Sequence, residues 1–274
     1  MYNQDIELEN FQRNIPIRLI STLKSDLKTC HESEKISEII SNNTEDYDNF
    51  PVVNKSNGSK SQIIGLLNVK KSTDDNFQSS TVREKMEHLS EKNLIGADAS
   101  ILSYIESAES VECRLLVSGP DISGMVCVSD LQKIPVRSAV FALITNLEQI
   151  MSKFIEYKMV TFKDWEVYIE LKKINSMKNK IKESKLKNTF VNELLFADFN
   201  VKISIIDKII GSDELRRDFK NELHEIYQLR NKMYHANNYA HTTKECKHFI
   251  AVVALCQKWS TFFTGEISAR HVLE

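Results

Sequence analysis

Two hydrophobic periods divide this chain at Pro135. Before it, apolar residues come in short β-rich runs separated by turn clusters; beyond it, they recur every three or four positions. Strands need a period of two and helices one near 3.6, so no single layer type accommodates both halves. The pattern predicts an α+β chain. A strand-rich domain spans 1–134, an all-α bundle spans 135–274, and Pro135 marks the boundary.

The first half repeats itself. Helical spacing at 34–42 is followed by the strand-like FPVV (50–53), the turn cluster NKSNGSKS (54–61) and the strand-like IIGLLNV (63–69). The same order returns as a helix at 99–109, CRLLV (113–117), the turn SGPDIS (118–123) and GMVCV (124–128). A recurrence at about 60 residues predicts two βαββ-like subdomains packed as a pair. In the second half Val140, Leu143, Ile144, Leu147, Ile150, Met151 and Phe154 trace one helical face over 137–159. Further helices are predicted over 164–187, 191–210, 213–236 and 243–263, with Gly211-Ser212-Asp213 as a break and N-cap.

Charge separates the halves as well. Residues 1–135 carry 14 basic against 21 acidic side chains, a net of −7; residues 136–274 carry 22 against 17, a net of +5. An acidic half joined to a basic one fits a sensor attached to something that meets a polyanion, although two differently solvated surfaces would also give it. No run nears the ~18 apolar residues of a membrane helix, and the acidic, polar MYNQDIELEN start is no secretory leader. Five dispersed cysteines without a CxxC pair point to free thiols in a reducing cytoplasm. The seven glycines form no phosphate-binding loop. No metal is expected: His241 and His248 with Cys246 between them lack a carboxylate set, and His224-Glu225 lacks a second His.

The segments FPVVNKSNGSKSQIIGLLNVKK (50–71) and CRLLVSGPDISGMVCVSDLQK (113–133) resemble the strand-turn-strand ends of a CBS-domain pair. Members of that family end in Gly-apolar-apolar-Thr/Ser-x-x-Asp, where the Asp accepts from a ribose and the hydroxyl meets sugar or phosphate. The second copy matches with Gly124 and Asp130. Cys127 replaces the hydroxyl residue, and Ser129 stands close by. In the first copy Lys71 takes the Asp position, which spoils ribose recognition there but suits a phosphate. The resemblance implies a cleft for an adenine nucleotide of the AMP or ATP kind. A scaffold without ligand remains open, as does a helix-capping role for Asp130.

The segment SDELRRDFKNELHEIYQLRNKMYHANNY (212–239) carries a different signal. Its apolar line Leu215, Phe219, Leu223 and Ile226 runs on into Arg230, placing a permanent cation where an anionic or polar partner is needed. Beside it lies a polar line, His224, Gln228, Asn231 and His235. Arg230-Asn231-Lys232-Met233-Tyr234-His235 resembles the R-N-x-x-x-H signature of HEPN ribonucleases. Chance supplies about 0.7 such spacings among nine Arg and seven His, and Arg83…His88 is one. Only the later copy has the Asn and sits late in a helix of a basic domain.

The resemblance implies metal-independent cleavage of single-stranded RNA at a homodimer cleft, and the family is associated with stress, toxin and antiviral defence. The chemistry agrees. Attack by a 2′-OH on its phosphate needs an acid/base, or a polar group that orients the hydroxyl, for which His235 serves, and a cation for the phosphorane, for which Arg230 serves; Asn231 supports them. Arg230 and His235 lie about 140° apart on a straight helix, so two protomers, or a helix ending between them, are required. Lys172, Lys173, Lys178, Lys180, Lys182, Lys185 and Lys187, with Glu183 as the one acid, are expected to draw RNA, or else to form a solvated loop end. The rival readings are a non-catalytic dimerising or RNA-binding regulator, and a partner of a nucleotidyltransferase modified at a residue such as Tyr234.

Overall fold

A computed structural model describes residues 8, 10–11, 14–54, 61–70, 75–108, 111–159, 161–187, 192–235 and 238–269. The chain divides into two units, residues 12–135 and residues 136–274, and the described residues before Gln12 group with the second. The sequence pattern, which starts the strand-rich domain at residue 1, carries no mark of that grouping.

The first unit runs β1 (Thr22–Leu23), β2 (Cys30–His31), α1 (Ile36–Asn42), β3 (Asn49–Asn54), β4 (Gln62–Asn68), α2 (Asp75–Ser79), α3 (Val82–Lys85), β5 (Glu87–His88), β6 (Leu94–Gly96), α4 (Ile101–Ser107), β7 (Cys113–Ser118) and β8 (Asp121–Cys127). Its two four-stranded sheets follow one plan. In β2-β3-β4-β5 and again in β6-β7-β8-β1, a parallel pair is followed by two antiparallel pairs. The second sheet therefore takes its fourth strand from the start of the chain.

The repeat holds at single residues. Gly65 faces Val52 and His88; Gly124 faces Leu116 and Leu23. A β-bulge follows at the same step in both hairpins, between Val52 and Val53 and between Leu116 and Val117. The bulge resets the alternation of β4, so Ile63 and Leu66, an odd step apart, face the same side. They pack with Cys113 and Leu115 between the sheets. Leu67, with Phe50 and Val52, faces the other way, onto Ile36, Ile39, Phe77 and Val82. Both glycines are obligatory for one reason: a Cβ on Gly65 would stand 2.5 Å from the Glu87 carbonyl oxygen, and one on Gly124 2.5 Å from that of Thr22.

The second unit is helical: α5 (Ile134–Lys158), α6 (Phe162–Glu166), α7 (Leu171–Leu186), α8 (Phe199–Ile209), α9 (Asp213–Tyr234) and α10 (Thr243–Ser268). The helix predicted over 164–187 is thus two. Val167, Tyr168 and Ile169, weak helix formers, sit in tight turns where Tyr168 and Ile169 donate to the carbonyls three residues back. The helix predicted from 191 starts at Phe199, because the Asp198 carboxylate accepts the Val201 N–H at 2.8 Å and fixes the N-cap there. Ser212 caps α9 and Thr242 caps α10 in the same way. An aromatic cluster joins α5, α9 and α10, with Phe154–Phe263 centroids at 4.8 Å and Phe219–Trp259 at 5.1 Å. Among the described residues no helix is long and apolar enough to cross a membrane.

Candidate functional site

The C-terminal end of α9 gathers the groups of greatest chemical interest. Phe219, Leu223, Ile226, Leu229 and Met233 are buried and fix the rotation of the helix. That rotation turns Arg230, whose side chain is 32% exposed, toward α5, where its guanidinium lies 3.6 Å from a Glu148 oxygen. The other Glu148 oxygen accepts from Lys202 of α8 at 2.9 Å, and the Lys202 side chain is only 6% exposed. Arg230 also rests over the Phe199 ring, 5.8 Å from its centroid. The sequence called for an anionic or polar partner for Arg230 without identifying it, since Glu148 lies 82 positions upstream on another helix.

The helix stops at Tyr234, and His235 is its C-cap, exposed, with its N–H donating to the Asn231 carbonyl at 3.1 Å. The His235 ring meets Tyr234 edge-on at 5.1 Å. Arg137 of α5, which sequence reasoning missed, donates to the Met233 carbonyl at 2.6 Å and places a cation against the negative end of the helix dipole. Asn231 and His235 continue the outward line of His224 and Gln228, whose side chains meet at 3.2 Å. No hydrogen bond or ion pair joins Arg230 to His235 among the described residues; the two leave the helix on different sides. The earlier match, Arg83…His88, is split between α3 and β5, with Arg83 paired to Glu32 at 3.5 Å.

The lysine cluster does not form one patch. On α7, Lys178, Lys182 and Lys185 share one line, Lys173 and Lys180 another, and Lys172 lies between. Lys178 is paired with Glu166 at 2.7 Å and Lys185 with Glu193 at 3.5 Å, so part of the expected field is neutralised.

In the first unit Asp130 is buried and doubly engaged. One oxygen accepts the Cys127 N–H at 2.7 Å; the other is 2.8 Å from Lys133 Nζ. It caps the 3-10 turn Val128–Gln132, the local role that the sequence left open. Ser129 is exposed. The Cys113 and Cys127 sulfurs share a hydrogen bond at 2.9 Å, and that bond, with burial, pushes the Cys113 thiol well above its usual range. Lys71 lies outside the described residues. The sequence did not reveal a cavity of about 280 Å³ in the first repeat, lined by Lys28, Glu34, Glu38, Ile39, Tyr47 and Phe50 among others. It draws on β2, α1 and the loop entering β3, too dispersed to read as a motif.

No family model matches the chain, and no curated protein does. Among solved structures it is similar to the CBS domain of the bacterial CNNM/CorC family Mg2+ transporter in complex with ATP, at 16% identity over 46% of this chain and 90% of that one, with a TM-score of 0.37. A Hemolysin-like protein containing a CBS domain, from Oenococcus oeni PSU, is similar at 14% identity over 46% and 93%, with a TM-score of 0.36. The CBS domain of a putative transporter from Clostridium difficile 630 gives 20% identity over 42% and 89%, with a TM-score of 0.34.

Proposed function

We propose that the helical unit is a metal-independent endoribonuclease of the HEPN kind, acting on single-stranded RNA in a homodimer, and that the repeat unit adjusts it by binding an adenine nucleotide. The observation that carries the reading is the placement of the R-N-x-x-x-H run. His235, exposed, caps the end of a long helix; Asn231, half-buried, lies one turn before it, and Arg230, the residue preceding Asn231, is held by Glu148. His235 takes the 2′-OH proton as that oxygen bonds to phosphorus. The bond from phosphorus to the 5′-oxygen then breaks, the leaving oxygen takes a proton from water while His235 returns its own to solvent, and a 2′,3′-cyclic phosphate remains. Arg230 meets the charge on the phosphorane oxygens and Asn231 orients the phosphate. Because Arg230 and His235 diverge on one helix, a second copy of α9 supplies the missing member.

For the repeat unit, the cavity beside Tyr47 and Phe50 takes the adenine ring against Ile39. Three glutamates (Glu34, Glu38, Glu45) against Lys28 favour a monophosphate over a triphosphate there. One specific observation favours a second reading, an RNA-binding regulator that does not cut: Arg230 already has an anionic partner in Glu148.

Purified wild type and His235→Ala are incubated with single-stranded RNA in EDTA, with and without AMP or ATP. Cyclic phosphate ends that vanish in the variant support the ribonuclease. Intact RNA that is nevertheless bound supports the regulator. Cleavage that ignores every adenine nucleotide, while those nucleotides bind, sinks the coupling between the units.

A further inference from the structure

Helices α7, α8 and α9 enclose a polar groove of about 610 Å³. Its walls carry Lys173 from α7, Asn200 and Ser204 from α8, and Lys220, Asn221 and His224 from α9. Ile203 supplies an apolar patch. The single acid, Glu225, lies 3.3 Å from His248 Nε2. Neither Lys173 nor Lys220 is held by a carboxylate among the described residues. The groove thus offers two cations, two amide side chains, a hydroxyl and an imidazole against one carboxylate.

Helical register connects it to the end of α9. From His224, steps of four, three and four reach Gln228, Asn231 and His235, all within about 40° of one line. The run is about 16 Å long at the helical rise, a few nucleotide steps of an unstacked strand. Arg230 lies off this line, toward Glu148.

We propose that this groove is a subsite for single-stranded RNA, holding the backbone phosphates and one base of the nucleotides that flank the phosphate at His235. The inference rests on the ribonuclease reading above and adds the path of the substrate. Lys173 and Lys220 meet the phosphates. His224 and Ile203 give a base a face to stack on, and Asn200 and Asn221 can donate or accept at its edge whatever the sequence. A lone phosphate would leave most of the volume empty. An acidic peptide has no use for a stacking face continuous with Asn231 and His235.

The test measures binding without turnover, in the full chain carrying His235→Ala, using fluorescein-labelled oligouridine of about 12 and about 3 nucleotides. Adding Lys173→Gln and Lys220→Gln should weaken the long oligonucleotide about tenfold and leave the short one nearly unchanged. The slope of log K against log salt should flatten by about 1.4, at about 0.7 per single-strand phosphate contact. Asn221→Asp should weaken binding through repulsion alone. Lys244→Gln with Lys247→Gln, exposed on α10, should leave the slope in place. An unchanged slope in the Lys173/Lys220 variant overturns the proposal, as does equal weakening in the α10 control, or polyglutamate that competes as well as RNA. The two readings fail separately. If wild type cuts no RNA yet the slope flattens, the groove stands and the ribonuclease falls; if wild type cuts and the slope is unmoved, the groove falls.

Discussion

Replacing Glu148 by Ala should unfold the helical unit more readily than any surface change, because it leaves two cations facing an apolar gap. The Lys202 amine, 6% exposed, is 2.9 Å from one carboxylate oxygen, and Arg230 is 3.6 Å from the other. At an effective dielectric of about 20, each contact has a gross attraction of about 5 kcal/mol, most of it offset by the desolvation of three charges. Removing the anion leaves that desolvation without compensation, which costs about 3–5 kcal/mol. Arg230 can turn toward water, so most of the loss belongs to Lys202. Lys202→Met in the same chain should therefore restore stability to within about 1.5 kcal/mol of wild type. Urea unfolding followed by tryptophan fluorescence isolates the effect, since Trp165 and Trp259, the chain's two tryptophans, both lie in the helical unit. A loss below about 1 kcal/mol in Glu148→Ala, or no recovery on adding Lys202→Met, would refute the account of a buried bridge. If Glu148 also aims Arg230, the double variant regains its urea midpoint but not RNA cleavage.

Gly65→Ala and Gly124→Ala should each lower the stability of the repeat unit by roughly 2–4 kcal/mol, since the blocking atom is backbone in both cases; Gly96→Ala, with nothing within 4 Å of its Cβ, should change it little in the same far-ultraviolet melt. Thr242→Ala removes one half of a reciprocal cap, where the Thr242 hydroxyl accepts from the Glu245 N–H at 3.2 Å, and should cost about 1 kcal/mol; Thr242→Asp should restore it. Burial pushes the Cys256 thiol up to about 12. The protonated thiol is favoured in the folded state, so its contribution is complete below the unfolded value near 9 and is lost as pH climbs toward 12. By pH 10.5 the loss should reach about 2 kcal/mol, and Cys256→Val should flatten that part of the urea-midpoint profile; identical profiles in both proteins would sink the assignment.

The legible parts of the fold were those with a period. FPVV, IIGLLNV, CRLLV and GMVCV became β3, β4, β7 and β8, and the three-to-four spacing after Pro135 became helices. β1, β2, β5 and β6 span only two or three residues each, too short to show alternation, and they exist because a longer strand offers them an edge. The break at 167–170 went unread because helical spacing continues across it. At the candidate site, Arg230 announced its need by sitting on an apolar line. Its answer, Glu148, and the groove built from 173, 200 and 220 are tertiary facts, joined only when separate helices pack. At Asp130 the structure shows the capping role that the sequence had left open, with Cys127 and Lys133 as its local partners.

The closure of the second sheet by β1 sets an order for synthesis. Thr22 pairs with Met125, and Leu23 with Gly124, so the first strand to leave the ribosome waits for a partner about 100 residues behind it. At about 5–20 residues per second that wait is some 5–20 s, during which the first sheet can assemble and the second cannot. Until β8 arrives, the segment around Leu23 is an unpaired edge open to a neighbouring nascent chain. Moving residues 12–25 to follow β8, through a short linker, would make this closure local and should speed folding without altering the finished sheet.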